Sequence, residues 1–98
     1  MKPIIKQKYK IGDKVYIQKE LPPSMSHFDC DQEAIIIGSY EDQYGHEYVT
    51  EPTYGVLRLK SGYYTAWYPE KVLHFIEHVG HEGIYEAIEK RQQREAEV

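Results

Sequence analysis

The sequence predicts a mainly β fold, a small closed barrel of about five strands followed by a C-terminal α-helix. The first observation is the stretch at residues 54–76, YGVLRLKSGYYTAWYPEKVLHFI, which has the pattern of a short hairpin followed at once by one more strand. The second is IGDKVYI at residues 11–17, which has the pattern of a turn and a strand. At 98 residues the chain has the length of one domain, with the barrel expected at residues 1–79 and the helix at residues 80–98.

The first half of the chain supplies two strands on either side of a loop. The first strand is expected at about Lys14–Gln18, with Val15 and Ile17 facing inward. Two prolines in residues 21–26 exclude a central strand there, because proline lacks the N–H that a β-ladder needs. Residues 33–40, EAIIIGSY, are rich in β-branched residues and apolar on both faces, so we expect this strand to be the most buried.

The second half of the chain supplies a hairpin. The polar and aromatic segment at residues 41–53 is predicted to be a long loop. Residues 54–60 then alternate between the two faces of a strand. Ser61 and Gly62 are predicted to close a tight turn into the next strand, at residues 63–68.

The end of the chain supplies the last strand and the helix. Residues 69–71 are predicted to form a single turn that leads into a strand at residues 72–76. Beyond this strand, Ile84, Ala87 and Ile88 share one helical face. We expect this first half of the helix to pack on the barrel or extend from it, and the rest of the helix to be solvated.

The composition limits the class of protein. Hydrophobic residues at 41% and charged residues at 29% are typical of globular domains. No apolar run approaches the ~18 residues of a membrane span, and the N-terminal segment lacks the apolar core of a signal peptide, so a cytoplasmic location is expected. Cys30 is the only cysteine, which excludes an intrachain disulfide. Because the chain has no phosphate-binding loop, serine nucleophile elbow or HExxH motif, no enzymatic activity is expected.

The charged residues are arranged in blocks. Residues 1–19 carry six lysines and one carboxylate, and residues 20–57 carry eight carboxylates with no lysine or arginine. Such blocks are typical of complementary faces that meet within a fold. The acidic block also fits an alternative function, a phage-type inhibitor whose acidic face binds a host nucleic-acid or defence enzyme. A second alternative, a nucleic-acid-binding accessory domain, requires the lysines to gather with Arg58, Lys60 and the aromatic residues.

Histidine and cysteine suggest two further kinds of site. His74, His78 and His81 invite a metal hypothesis. Histidines four residues apart converge on a helix, however, and residues 72–76 are predicted to form a strand. A nucleophilic Cys30 would need a base, and nearby His27 is the candidate. Carboxylates on both sides of Cys30 oppose the thiolate, so neither a catalytic pair nor any metal or cofactor is expected.

Aromatic residues are the most unusual part of the composition, with ten tyrosines, two phenylalanines and one tryptophan. Aromatic side chains on one face of a small barrel are typical platforms for proline-rich peptides, methylated lysine or stacked bases. Nearby carboxylates at Glu41, Asp42 and Glu47 favour a cationic ligand. Alternatively, tyrosine serves here only as a half-buried strand former.

Five strings of the sequence form a specific pattern: HF at 27–28, EAIIIGSY at 33–40, DQYG at 42–45, then Tyr54, and AWYPE at 66–70 followed by Leu73. This pattern resembles a group of short bacterial and phage proteins that has no established activity. The resemblance covers roughly residues 11–77, and this chain has His46 where the group tends to have a second glycine. The IGDKVYI opening and the SG hairpin are also similar, in fold alone, to Tudor and KOW modules of the SH3-like class.

The resemblance implies that one fold arranges the aromatic side chains of these strings as a single surface. Tyr44 lies beside Gly45 in a predicted loop, where core packing does not explain a tyrosine. We therefore expect a binding surface made of seven residues: His27, Phe28, Tyr40, Asp42, Tyr44, Tyr54 and Trp67. The partner expected for this aromatic and acidic surface is a protein or peptide, less so a nucleic acid and not a membrane. Either a monomer or a homodimer fits the sequence.

Overall fold

The computed structural model describes residues 7–25, 29–40, 43 and 51–96. Within these ranges the chain forms five strands: β1 (Asp13–Ile17), β2 (Gln32–Ser39), β3 (Thr53–Arg58), β4 (Thr65–Pro69) and β5 (Leu73–His78). A helix, α1, follows at Gly80–Ala96, and single turns of 3-10 helix lie at Pro23–Met25 and Glu70–Val72. The predicted mainly β fold with a C-terminal helix is therefore confirmed.

The strands form one antiparallel sheet in the order β4-β3-β2-β1-β5. The 3-10 turn at Glu70–Val72 carries the chain from β4 at one edge of the sheet to β5 at the other, where β5 pairs with β1. No ladder among the described residues joins β4 to β5, so the sheet is open where the sequence predicts a closed barrel. No helix of this part of the chain is long and apolar enough to cross a membrane.

One face of the sheet carries the hydrophobic core. In β1, Val15 and Ile17 are fully buried whereas Lys14 and Tyr16 are partly exposed, as the alternation of the strand predicts. Burial of this apolar surface is the main favourable contribution to folding. The core contains ten residues of the described chain: Tyr9, Val15, Ile17, Ala34, Ile36, Tyr54, Val56, Tyr68, Val72 and Leu73.

The most buried strand is β3, and the prediction that favoured residues 33–40 is wrong on this point. Five consecutive residues of β3 are buried, whereas β2 exposes Glu33 and leaves Ile37 half-buried. Both faces of β3 are covered, because its inward residues enter the core and its outward Gly55 lies against the Trp67 ring. The carbonyl of its last residue, Arg58, also accepts a hydrogen bond from Arg91 of α1. Local sequence composition does not contain this information, since it depends on elements that follow later in the chain.

The connection from β3 to β4 is wider than the tight turn that the sequence predicts. Strand pairing ends at Leu57 and Thr65, and the Arg58 N–H closes the loop by donating to the Tyr64 carbonyl at 2.8 Å. The side-chain carbonyl of Gln32 accepts from two backbone N–H groups of this loop, those of Lys60 at 3.0 Å and Ser61 at 3.2 Å. These two hydrogen bonds, which a buried glutamine accepts, replace the backbone pairing that a two-residue turn would have had.

The start of α1 is held against the turn that precedes β1. A Cβ atom on Gly12 would lie 2.7 Å from the Gly80 Cα atom, so only glycine permits this approach. The Gly12 carbonyl accepts from the Val79 N–H at 2.8 Å, and the Asp13 carboxylate lies 2.8 Å from the His78 Nδ1 atom. The N-terminal end of the helix is therefore fixed by backbone contact as well as by a side-chain pair.

The end of α1 is held by an arginine, although the sequence predicts this half of the helix to be solvated. Arg91 is the buried residue of α1, with 6% of its surface exposed. Its Nη1 atom donates to the Arg58 carbonyl at 2.7 Å, its Nη2 atom donates to the Gly62 carbonyl, and the guanidinium lies 4.2 Å from the centre of the Tyr64 ring. The prediction is wrong here because a long cationic side chain bridges two distant segments, which helical periodicity does not reveal.

We expect Arg91→Ala and Arg91→Lys to lower the free energy of unfolding by about 2 kcal/mol, the size of hydrogen bonds that involve a charged group. Lysine keeps the positive charge but has no planar fork to reach both carbonyls. Urea unfolding measures the change, and hydrogen exchange of the helix amides reports the loss of docking. Gln92→Ala, at an exposed neighbour, is the matched control. Wild-type stability in the lysine variant would show that the fork is not what holds the helix.

Candidate functional site

The structure describes three of the seven residues that the sequence assigns to a binding surface. Tyr40 and Trp67 lie together on the face of the sheet opposite the core, and Tyr54 lies in the core. The other four residues lie outside the described part of the chain: His27, Phe28, Asp42 and Tyr44. The geometry of the candidate site therefore rests on Tyr40, Trp67 and their neighbours.

Strand alternation places Trp67 on the outer face. In β4 the neighbours of Trp67 on both sides, Ala66 and Tyr68, contact the core, so the indole points the other way. The rings of Tyr40 and Trp67 meet edge to face, with centroids 5.4 Å apart and planes at 75°. Such a geometry is favourable because the positive edge of one ring faces the negative face of the other.

Glycine makes room for the indole. Gly55 of β3 pairs with Trp67, and a Cβ atom on Gly55 would lie 3.3 Å from the Trp67 Cζ3 atom. The register of β2 against β3 also shifts between Ile36 and Gly38, a bulge that leaves a second glycine in the same area. Backbone without side chains therefore flanks one aromatic ring on the outer face.

These features enclose a depression of about 250 Å³, which we call the Trp67 pocket. It lies slightly below the range of small-molecule sites, about 300–1,000 Å³, and so suits one side chain of a partner better than a free ligand. The described residues that line it are Ile37, Gly38, Gln43, Gly55, Thr65, Ala66 and Trp67.

Tyr54 has a different environment from the Trp67 pocket. Its ring is 1% exposed and packs on Tyr9, with centroids 5.3 Å apart. Its hydroxyl donates to the Glu70 carboxylate at 2.7 Å and accepts from the N–H groups of Lys8 at 2.8 Å and Tyr9 at 3.1 Å. Alternation explains the separation, because Tyr54 and Gly55 are neighbours in β3 and point to opposite faces. The sequence contains this alternation, but a count of aromatic residues does not use it.

Burial raises the pKa of two tyrosines of the core, Tyr54 and Tyr68. It raises the pKa of Tyr54 from 10.0 to about 12, and the Glu70 carboxylate acts in the same direction while the backbone N–H groups oppose it. Burial also raises the pKa of Tyr68, although the hydrogen bond from Arg58 opposes this. Both hydroxyls therefore stay protonated at neutral pH and act as structural hydrogen-bonding groups.

A second concavity, missed at the sequence level, lies between α1 and the outer face of the sheet. We call it the helix groove, and its volume is about 740 Å³. Ile35 lines it from β2, Leu59 from the residue after β3, Val79 from the connection to the helix, and Gly83 and Ala87 from α1. Val79, Gly83 and Ala87 have the helical spacing of four, but Ile35 and Leu59 are far from them in the sequence, so only the packing of the helix on the sheet brings the two sets together.

Four of the five described carboxylates of the acidic block, all except Glu20, have partners within the fold. Glu33 pairs with Lys14 at 3.0 Å, which joins the acidic block to the N-terminal lysine block as the complementary-face interpretation expects. The other contacts are Asp29 with Arg58 at 3.5 Å, Glu51 with Lys71 at 3.7 Å, and Asp31 with the Tyr16 hydroxyl.

The histidines and Cys30 do not converge in the part of the chain that is described. His78 contacts Asp13, His74 lies 2.9 Å from the Gln18 amide oxygen, and the Cys30 thiol donates to the Lys19 carbonyl at 3.0 Å. No group of three or more histidine, cysteine or acidic side chains among these residues could hold a metal ion. The possible base for Cys30, His27, lies outside the described ranges.

Comparison with known proteins gives no relative, since no protein-family model, curated protein or solved structure matches the chain.

We expect Tyr54→Phe to destabilise the fold by about 1–3 kcal/mol at pH 8, because Glu70 loses a donor and two amides lose an acceptor. The folded state binds the Tyr54 proton more tightly than the unfolded chain does. The resulting stabilisation is complete below about pH 10 and is lost as the pH rises towards about 12. Phenylalanine does not ionise, so the stability gap between wild type and Tyr54→Phe should narrow over this interval.

Urea unfolding at several alkaline pH values measures this gap. Tyr63→Phe is the matched control, since it removes the same hydroxyl from a side chain that is 86% exposed and should therefore change stability little. A gap that stays constant from pH 9 to pH 12 would contradict the assignment of the raised pKa to Tyr54.

Proposed function

We propose that the chain is a small binding module without enzymatic activity, which holds a protein or peptide through its aromatic and acidic surface. The observation that carries this proposal is the Trp67 pocket, where a half-buried indole lies on a face turned away from the core. A buried strand former would have its ring in the core, as Tyr54 has. Tryptophan and tyrosine are enriched among the residues that contribute most to binding energy.

The group expected to bind in the pocket is a cationic side chain or the ring of a proline. The ring of Trp67 and the ring of Tyr40 offer rigid π surfaces at small entropic cost, and such surfaces attract cations and proline rings. In the sequence, Tyr40 is followed directly by Glu41 and Asp42, whose charges favour the cation. The size of the pocket fits the entry of one side chain from an otherwise surface-bound peptide.

We also propose that the fold belongs to the SH3-like class. The antiparallel order with β5 beside β1, and the single 3-10 turn between β4 and β5, support this assignment. Membership would agree with a binding role but would not select it, because unrelated functions share this fold. The function is therefore argued from the Trp67 pocket and not from the class.

The charge contacts favour a protein or peptide over the alternatives. A DNA-mimicking inhibitor needs carboxylates that are available to a partner, and four of the five described ones contact Lys14, Arg58, Lys71 and the Tyr16 hydroxyl. A nucleic-acid-binding surface needs Arg58, which is 5% exposed and contacts Asp29 and Tyr68. Both observations weigh against these two functions.

Affinity capture from the lysate of the organism that encodes the chain, followed by calorimetry with the purified partner, tests the proposal. We expect Trp67→Leu to weaken binding at least tenfold, because leucine keeps apolar volume but has no aromatic face. Tyr63→Ala is the control, since Tyr63 is exposed on the β3–β4 loop and away from the Trp67 pocket. Circular dichroism establishes that each variant is folded. Equal binding by wild type and folded Trp67→Leu would overturn the proposed surface.

A further inference from the structure

Two small residues of α1, Gly83 and Ala87, line the helix groove among longer polar side chains of the helix. The helix turns Gly83 and Ala87 towards the groove, while its larger apolar residues Ile84 and Ile88 are half-buried and do not line it. A helix that served only to cover the sheet would direct its isoleucines into this space. Gly83 is also required for packing, since a Cβ atom there would lie 2.4 Å from the Val79 Cγ2 atom.

The floor of the groove is apolar and its shape is elongated. Ile35 of β2 and Leu59, which follows β3, line the space together with Val79 and Ala87. The helix residues that line it extend from Glu82 to Arg94, which corresponds to about 18 Å at the rise of an α-helix. An extended peptide of about five or six residues has the same length.

Around the groove, the positively charged side chains have partners within the described part of the fold and two of the carboxylates do not. The three cations at its rim are engaged: Lys14 pairs with Glu33 at 3.0 Å, Lys90 pairs with Glu86 at 2.9 Å, and Arg94 donates to the Leu59 carbonyl. By contrast, the carboxylates of Glu77 and Glu82 make no hydrogen bond or ion pair with the described residues. The Leu59 carbonyl is neutral, so the charge of Arg94 remains, but the two carboxylates outweigh it and the groove presents a net negative charge to a ligand.

We propose that the helix groove binds a short extended peptide segment in which a lysine or arginine neighbours an apolar side chain. The apolar side chain enters the space between Ala87 and Leu59, and the cation meets Glu77 and Glu82. The proposal is independent of the Trp67 pocket, because the two concavities share no lining residue.

The test uses three capped hexapeptides, of alternating lysine and leucine, glutamate and leucine, or lysine and serine. Each is titrated into the isotopically labelled protein and followed by NMR. We expect the lysine–leucine peptide to bind and to shift the amide signals of Val79, Gly83 and Ala87. The other two peptides should bind at least tenfold more weakly, because each lacks one of the two features.

Variants locate the site. Glu77→Gln combined with Glu82→Gln should weaken the binding of the lysine–leucine peptide at least tenfold. Both positions are exposed, so the fold should be retained. Ala87→Met, which fills the groove, should have the same effect, whereas Tyr63→Ala, at an exposed residue that lines neither concavity, should have none. Binding that withstands both groove changes, equal binding of the glutamate–leucine peptide, or no binding of the lysine–leucine peptide at millimolar concentration would each overturn the proposal.

Discussion

The alternation of β3 between two covered faces is the constraint on which the rest of the structure depends. Its inward residues, Tyr54 and Val56, form the centre of the core. Its outward Gly55 accommodates the Trp67 ring, and the carbonyl of its last residue, Arg58, accepts the hydrogen bond from Arg91 that holds the helix. A shift of this strand by one residue would exchange the two faces and remove the core, the Trp67 pocket and the helix contact together.

Two buried arginines stabilise the region where β3 ends. Arg58 donates to the Tyr63 carbonyl and contacts Tyr68 and Asp29, while Arg91 satisfies the backbone carbonyls of the same loop and stacks on Tyr64. Burial of a cation is costly unless its donors are satisfied, and here each guanidinium has several acceptors. The arrangement orders a six-residue connection that has few apolar contacts of its own.

Most of the fold could be predicted from the sequence, and part of the candidate site could not. Strand alternation and β-branched runs identified the strands, and the face of Ile84, Ala87 and Ile88 identified the helix, because these signals are local. The role of Gln32 in the β3–β4 loop and that of Arg91 in helix docking could not be predicted, since each is a polar contact between distant segments. The assignment of Tyr54 to the binding surface failed for another reason. It was based on the number of aromatic residues, which does not show which face of the strand carries each ring.

The two faces of the sheet differ in how completely they are filled. The core face is closed by Tyr9 and Val72, and its polar groups are satisfied, with no buried side-chain nitrogen or oxygen of the described residues lacking a hydrogen bond. The outer face keeps two concavities, and each depends on residues without bulk: Gly55 at the Trp67 pocket, Gly83 and Ala87 at the helix groove. Larger side chains at Ala87 or beside Trp67 would add apolar burial to a small domain whose stability is limited by its size. The apolar burial that the outer face lacks is the physical ground on which we propose that this face binds a partner.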